Sequence, residues 1–201
     1  MTSTGGQLEA LLAEVDRCTL CDAHLPHGCR PVVQVGKGAR ILIAGQAPGR
    51  RVHESGVPFD DPSGDRLRDW MDLDRETFYD PETISILPMG FCYPGTGKHG
   101  DLPPRPECAP TWREAILKQL TSVELTLVVG GHAQKWHLPE PATSVTEAVS
   151  DWRRSWPSVL PLPHPSPRNR AWLKKNPWFE RDVIPQLRKR VTTLLESDPH
   201  R

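Results

Sequence analysis

The chain has 201 residues, 25 basic and 25 acidic side chains, 37% hydrophobic residues and 22 prolines. That length suits one packed core, stable without disulfides, and no run of about 18 apolar residues is present to cross a membrane. Met1 to Gly6 lacks the basic and apolar regions of a secretory leader, so a cytoplasmic location is expected, and the odd number of cysteines, five, argues against a closed disulfide set.

In chain order, Leu8 to Val15 carries apolar residues at helical spacing and leads into Cys18-Thr19-Leu20-Cys21. Residues 39–45 read as a buried strand that ends in the turn Gly45-Gln46-Ala47-Pro48-Gly49. Ser63 to Met71 starts with a serine cap and presents Leu67 and Trp70 on one helical face. Ile84 to Leu87 is a second strand, followed by Pro88-Met89-Gly90, and Ala109 to Leu120 is a helix with proline in its first turn. Glu124 to Val129 and Val159 to Leu162 complete four strands, ending at Gly130-Gly131 and His164-Pro165-Ser166-Pro167. Helices are predicted over Thr146 to Trp152 and Trp178 to Leu195, the latter broken or kinked at Pro185.

Strands alternating with helices predict an α/β fold: a three-layer α/β/α domain around a central four-stranded, mainly parallel sheet, with four loops converging at the carboxyl ends of the strands. One domain spans 1–201, with 1–6 and about 197–201 expected to be flexible. Prolines concentrate around Cys92 and Cys108 and around His164, which predicts stiff rather than disordered loops.

Zero net charge hides an uneven distribution. From Asp151 to Arg201 there are eleven Lys or Arg against five Asp or Glu, which leaves the rest of the chain acidic by six charges. Arg168 and Arg170, beside His164, are candidates for phosphate contact, whereas Arg188, Lys189 and Arg190 read as a solvated helix face. Cys18 and Cys21 form a CxxC, a pattern shared by zinc sites, redox pairs and chance sequence; with Cys92 and Cys108 they make a four-thiolate set that suits either an iron-sulfur cluster or tetrahedral zinc. Either would be structural, since four thiolates leave no open position. Cys29 falls outside this pattern and reads as a small apolar residue. The chain contains no phosphate-cradling glycine loop, GxSxG elbow or HExxH helix.

Five features in order, Cys18/Cys21, GQAPG at 45–49, Gly56-Val57-Pro58-Phe59, Cys92/Cys108 and His164-Pro165-Ser166, resemble the uracil-DNA glycosylase superfamily, closest to its iron-sulfur branch, family 4. The resemblance covers roughly residues 15–190. It implies hydrolysis of the N-glycosidic bond of uracil or a related deaminated base in DNA, and a 4Fe-4S cluster on Cys18, Cys21, Cys92 and Cys108, with zinc or no metal as alternatives. It also implies that Phe59 stacks on the flipped base, that His164 donates to the pyrimidine oxygen as charge accumulates there, and that Ser166 helps hold the DNA backbone. Ala47 and the Pro88-Met89-Gly90 turn are the remaining candidates for base contact.

Two residues depart from the family pattern. The glutamate of GEAPG is Gln46 here, and an amide cannot take a proton; the asparagine expected four residues before the third cysteine is Pro88. Asp60 and Asp61, adjoining Phe59, are the preferred substitutes for the missing carboxylate, with Glu54, Asp65 and His53 as further polar candidates, although Asp61 also reads as a helix cap. The expected partner is DNA holding a damaged or deaminated base, bound by a monomer. A catalytically silent DNA-binding member of the same fold and a hydrolase of another nucleobase glycoside are the alternatives.

Overall fold

A computed structural model describes residues 4–98, 100–140 and 142–197. Four apolar runs form one parallel sheet: β1 (Ile41–Ala44), β2 (Ile84–Ile86), β3 (Leu125–Val129) and β4 (Val159–Leu162), in the order β2-β1-β3-β4. Ile41 is in register with both Ile84 and Leu125, and Leu127 with Leu160. The helices are α1 (Thr4–Asp16), α2 (Arg50–Ser55), α3 (Pro62–Met71), α4 (Arg75–Tyr79), α5 (Glu114–Leu117), α6 (Gly131–His137), α7 (Val145–Ser150), α8 (Arg170–Lys175) and α9 (Ile184–Glu196).

Alternate side chains of each strand face opposite layers, which is why both parities are apolar here. Ile41, Ile43, Leu125, Leu127, Leu160 and Leu162 pack with Leu67 and Trp70 of α3 and Leu187 and Val191 of α9. Leu42 faces the other way, toward Leu8 and Val15 of α1 and Ile116 of α5, while Ala44 and Val128 meet Ala133 of α6. The expected three layers are therefore present. The edges are blunted: the free side of β2 is bridged by Gln34, paired with Ile86, and β4 carries Pro161, which has no N–H to offer a further strand.

From β1 the chain moves outward to β2 and then crosses to β3 on the opposite side, so the direction of winding reverses between β1 and β3. A crevice at the carboxyl ends of the strands follows from that reversal.

Several predicted boundaries shift. Thr4 to Gly6, expected to be flexible, belong to α1, while 1–3 and 198–201 lie outside the described residues. The helix expected over Ala109 to Leu120 is a π-helical turn, Ala109–Arg113, followed by the short α5. Likewise Phe179–Val183 is π-helical and Pro185 sits in the first turn of α9, where its missing N–H costs nothing. A small antiparallel pair, Thr96–Gly97 with Gly100–Asp101, was not foreseen, because two-residue strands carry no readable alternation. Among the described residues no helix is long and apolar enough to cross a membrane.

Candidate active site

A cleft of about 610 Å³ opens at the sheet's carboxyl edge, walled by the GQAPG turn, Phe59, Asp61, Pro88, the Thr96–Asp101 pair and the loop His164 to Asn169. Of the residues singled out from sequence, Gln46, Ala47, Phe59, Asp61, Pro88, His164, Ser166 and Arg168 line it, and Asp60, Met89, Gly90 and Arg170 do not.

His164 follows β4 after a single residue, Pro163. Gln134 of α6 donates to the Leu162 carbonyl at 2.9 Å, and Arg66 of α3 donates to the carbonyls of Pro165 and Ser166, so two helices clamp the loop. Asn169 closes it with a 2.8 Å bond to the His164 carbonyl. His164 Nδ1 accepts the Ser166 N–H at 3.2 Å. In the neutral ring the proton must then sit on Nε2, which has no protein acceptor among the described residues and is a donor available to a ligand. Burial lowers the His164 pKa, against an opposing pull from the charges of Asp61 and Asp101, so neutrality is favoured.

Phe59 adopts φ 53, a left-handed conformation uncommon for an aromatic residue. The close approach of α3 holds it there: a Cβ on Gly64 would lie 1.7 Å from the Phe59 carbonyl oxygen. The ring rests on Gly45, with its tip 3.4 Å from where a Cβ would be, and meets Phe78 edge-on at 6.4 Å. It therefore presents a fixed apolar surface to the cleft.

The two favoured aspartates have other engagements. Asp60 pairs with Arg75 at 3.0 Å and lies away from the cleft. Asp61 is the N-cap of α3; its Oδ1 accepts the N–H groups of Ser63 and Gly64, each at 2.9 Å. Glu54 and Asp65 are paired with Arg50 and Arg68. His53 stands in a ring group with His27 and Tyr93, outside the cleft wall.

Of the Pro88-Met89-Gly90 backbone groups expected to read a base, both N–H groups and the Pro88 carbonyl have partners within the protein. Met89 and Gly90 already donate their N–H groups to the carbonyls of Gly45 and Gln46, at 2.8 and 2.9 Å. The Leu87 and Pro88 carbonyls accept from Arg113, the latter at 2.8 Å. These bonds lock the turn onto GQAPG, and Pro88 lines the cleft.

Ser166 Oγ accepts the Arg168 N–H at 3.2 Å, which sets the turn that carries Arg168 over the cleft. The Arg168 guanidinium lies against Gly100, 2.7 Å from where a Cβ would be. Arg170 begins α8 and is exposed, on the same side of the loop sequence but beyond the cleft wall.

Cys18, Cys21, Cys92 and Cys108 line a second, smaller pocket directly behind Gly90 and Phe91, closed by Leu20, Leu25 and Trp112. Cys29 lines it as well, a placement that the pairing pattern did not indicate. All five thiols are free. Burial pushes Cys92 up to about 12 and Cys108 up to about 11, with mutual thiolate repulsion adding to both. The Phe91 N–H donates to Cys108 Sγ at 3.3 Å, the kind of bond that stabilises a ligated thiolate. Four cysteine side chains lining one pocket are the donor type that a structural metal group takes, and such a group would hold them as thiolates where burial alone keeps them protonated. Among the described residues, no three His, Cys, Asp or Glu side chains converge closely enough to surround a single ion.

Sequence reading missed Asp101, Asn169, Arg66 and Arg113. Asp101 and Asn169 reach the cleft, whereas Arg66 and Arg113 hold its walls from behind. Each acts through contacts between segments far apart in the chain, for which no local pattern exists.

The sequence profile of the uracil DNA glycosylase superfamily matches residues 33–188. A protein of Thermotoga maritima described as a type-4 uracil-DNA glycosylase is 28% identical over 167 residues, which cover 79% of this chain and 81% of that protein.

Proposed function

The chain belongs to the uracil DNA glycosylase superfamily, and from that premise we propose that it is a hydrolase cutting the N-glycosidic bond of uracil, or a related deaminated base, in DNA. One observation carries the reading most: a half-buried histidine whose Nδ1 accepts a backbone N–H, leaving Nε2 without a protein partner among the described residues, shares a cleft with the immobilised face of Phe59. A base extruded from the duplex would stack on Phe59 while its carbonyl oxygen receives the His164 proton donor. As the bond between C1′ and the base nitrogen breaks, the electron pair departs with the base, and a donor already aimed at that oxygen stabilises the leaving anion. Arg168 at the mouth and Arg170 beyond it supply positive charge for the flanking phosphates.

Cys18, Cys21, Cys92 and Cys108 would hold a 4Fe-4S cluster. Four cysteine side chains around one pocket suit that group, and a tetrahedral zinc ion is the alternative on the same residues. When bound, such a group supplies a structural cross-link between the CxxC segment and the strand end that carries Pro88. We take the enzyme to act as a monomer in a reducing cytoplasm, where five free thiols persist.

The test is base release from oligonucleotides holding uracil, hypoxanthine, xanthine or hydroxymethyluracil. Release from at least one is expected, and His164→Ala should lower the single-turnover rate by roughly 10²- to 10³-fold. Gln46 supports a second reading, a DNA-binding protein without chemistry; DNA binding with no release from any substrate would establish it.

A further inference from the structure

We propose that Asp101 is the catalytic carboxylate of this enzyme, the group that holds the attacking water and takes its proton. The inference rests on the glycosylase reading above. Asp101 and Asp61 are the only carboxylates among the described residues that line the cleft. Asp61 is held as the cap of α3 by two backbone N–H groups. Asp101 has no such duty.

The surroundings of Asp101 orient it. The Tyr93 hydroxyl lies 2.5 Å from Thr96 Oγ1, which donates to Asp101 Oδ1 at 3.1 Å, so a chain of two hydroxyls fixes one oxygen. The other oxygen, Oδ2, faces Gly49 and lies 3.4 Å from where a Cβ there would be. It stands against the same GQAPG turn that carries Gln46. The Gln46 amide cannot take the water's proton, and its Nε2 donates to the Leu102 carbonyl at 3.2 Å, which ties the segment just after Asp101 to the turn. Gln46 is thus a positioning residue for the carboxylate that its own side chain lacks. The charges of Asp61 and, more weakly, Asp101 both act on His164, so the choice between them rests on the cap bonds that commit Asp61. A carboxylate facing a DNA cleft repels phosphates, a cost that a chemical role offsets.

The step balances without a further reactant. The bond from C1′ to the base nitrogen breaks and its electron pair leaves with the base, stabilised by His164 Nε2–H. The water oxygen bonds to C1′, and the water's proton passes to Asp101, which later returns it to solvent.

The experiment is single-turnover uracil release by the full-length protein, with DNA affinity measured in parallel. Asp101→Asn, which keeps an acceptor for Thr96, should slow release roughly 10²- to 10⁴-fold with affinity unchanged or tighter. Asp101→Ala should recover part of the rate when formate is added, because a small carboxylate can occupy the vacated space; a merely structural residue would show no such rescue. Active wild type with unimpaired Asp101→Asn, a larger loss in Asp61→Asn, or no formate rescue would each overturn the inference and leave the glycosylase reading standing. Wild type that releases no base would overturn that reading and this inference together.

Discussion

Arg113 Nη2 lies 2.6 Å from His137 Nε2, and because a guanidinium only donates, the imidazole must accept there and remain neutral. Arg113 is fully buried between the strand end that carries Pro88 and the last turn of α6. Burial, with the Arg113 charge, pushes His137 down to about 4. An unfolded histidine takes its proton near 6.5, so between those values the unfolded state binds more protons than the folded one. Stability present above about pH 6.5 should then be lost as pH falls toward 4, by up to about 3 kcal/mol for this pair. Burial lowers His164 as well, in the same direction. Thermal melting from pH 7 to 4.5 checks this, and His137→Gln, which keeps an acceptor for Arg113, should give a flatter curve than wild type.

Gly64 is required by the approach of the Phe59 carbonyl rather than by its own backbone. Gly64→Ala should destabilise the fold by about 1–3 kcal/mol, as overpacking of a tight contact does, measured by urea denaturation. Phe59→Ala should leave stability nearer wild type and instead weaken binding of an oligonucleotide with an extruded base by about 1–3 kcal/mol, the range for lost base stacking. Equal effects of both substitutions on folding and binding would contradict this division.

Arg168 and Arg170 should contribute to DNA affinity without reading sequence. Their joint replacement by alanine should weaken binding to all sequences alike and reduce the slope of log affinity against log salt by about 1 to 2, one phosphate contact each. A change in base preference at unchanged slope, seen in titrations at several salt concentrations, would contradict the assignment.

Protein prepared anaerobically should be brown, absorb near 400 nm and contain iron and sulfide. Cys92→Ser should lose that metal, and Cys29→Ser should retain it although Cys29 lines the same pocket. Zinc in place of iron, or retention by Cys92→Ser, would require a different ligand set; metal analysis and circular dichroism of each variant decide.

Much of the architecture was legible in the chain because it is local. Ile41 to Ala44 and Leu125 to Val129 are apolar at both parities, as a strand covered on both faces must be, and Gly45 and Gly130 mark where each ends. The GQAPG turn, Phe59 and His164, singled out by strand-end position and motif order, all line the cleft. Helix boundaries were less legible where a proline fell near a π-helical turn, since the same residue can open a helix or interrupt one.

What only the tertiary structure decided is which polar groups are committed and which are free. Asp60 and Asp61 adjoin Phe59 in sequence, yet one is neutralised by Arg75 and the other caps α3, whereas Asp101, some 40 residues on, is carried back to the cleft by a two-stranded turn. In Pro88 to Gly90 both N–H groups are taken up by GQAPG and the Pro88 carbonyl by Arg113. Composition and periodicity report how a segment buries its own side chains. The partner of each donor and acceptor depends on segments brought together by the sheet, and that pairing is set only when the layers pack.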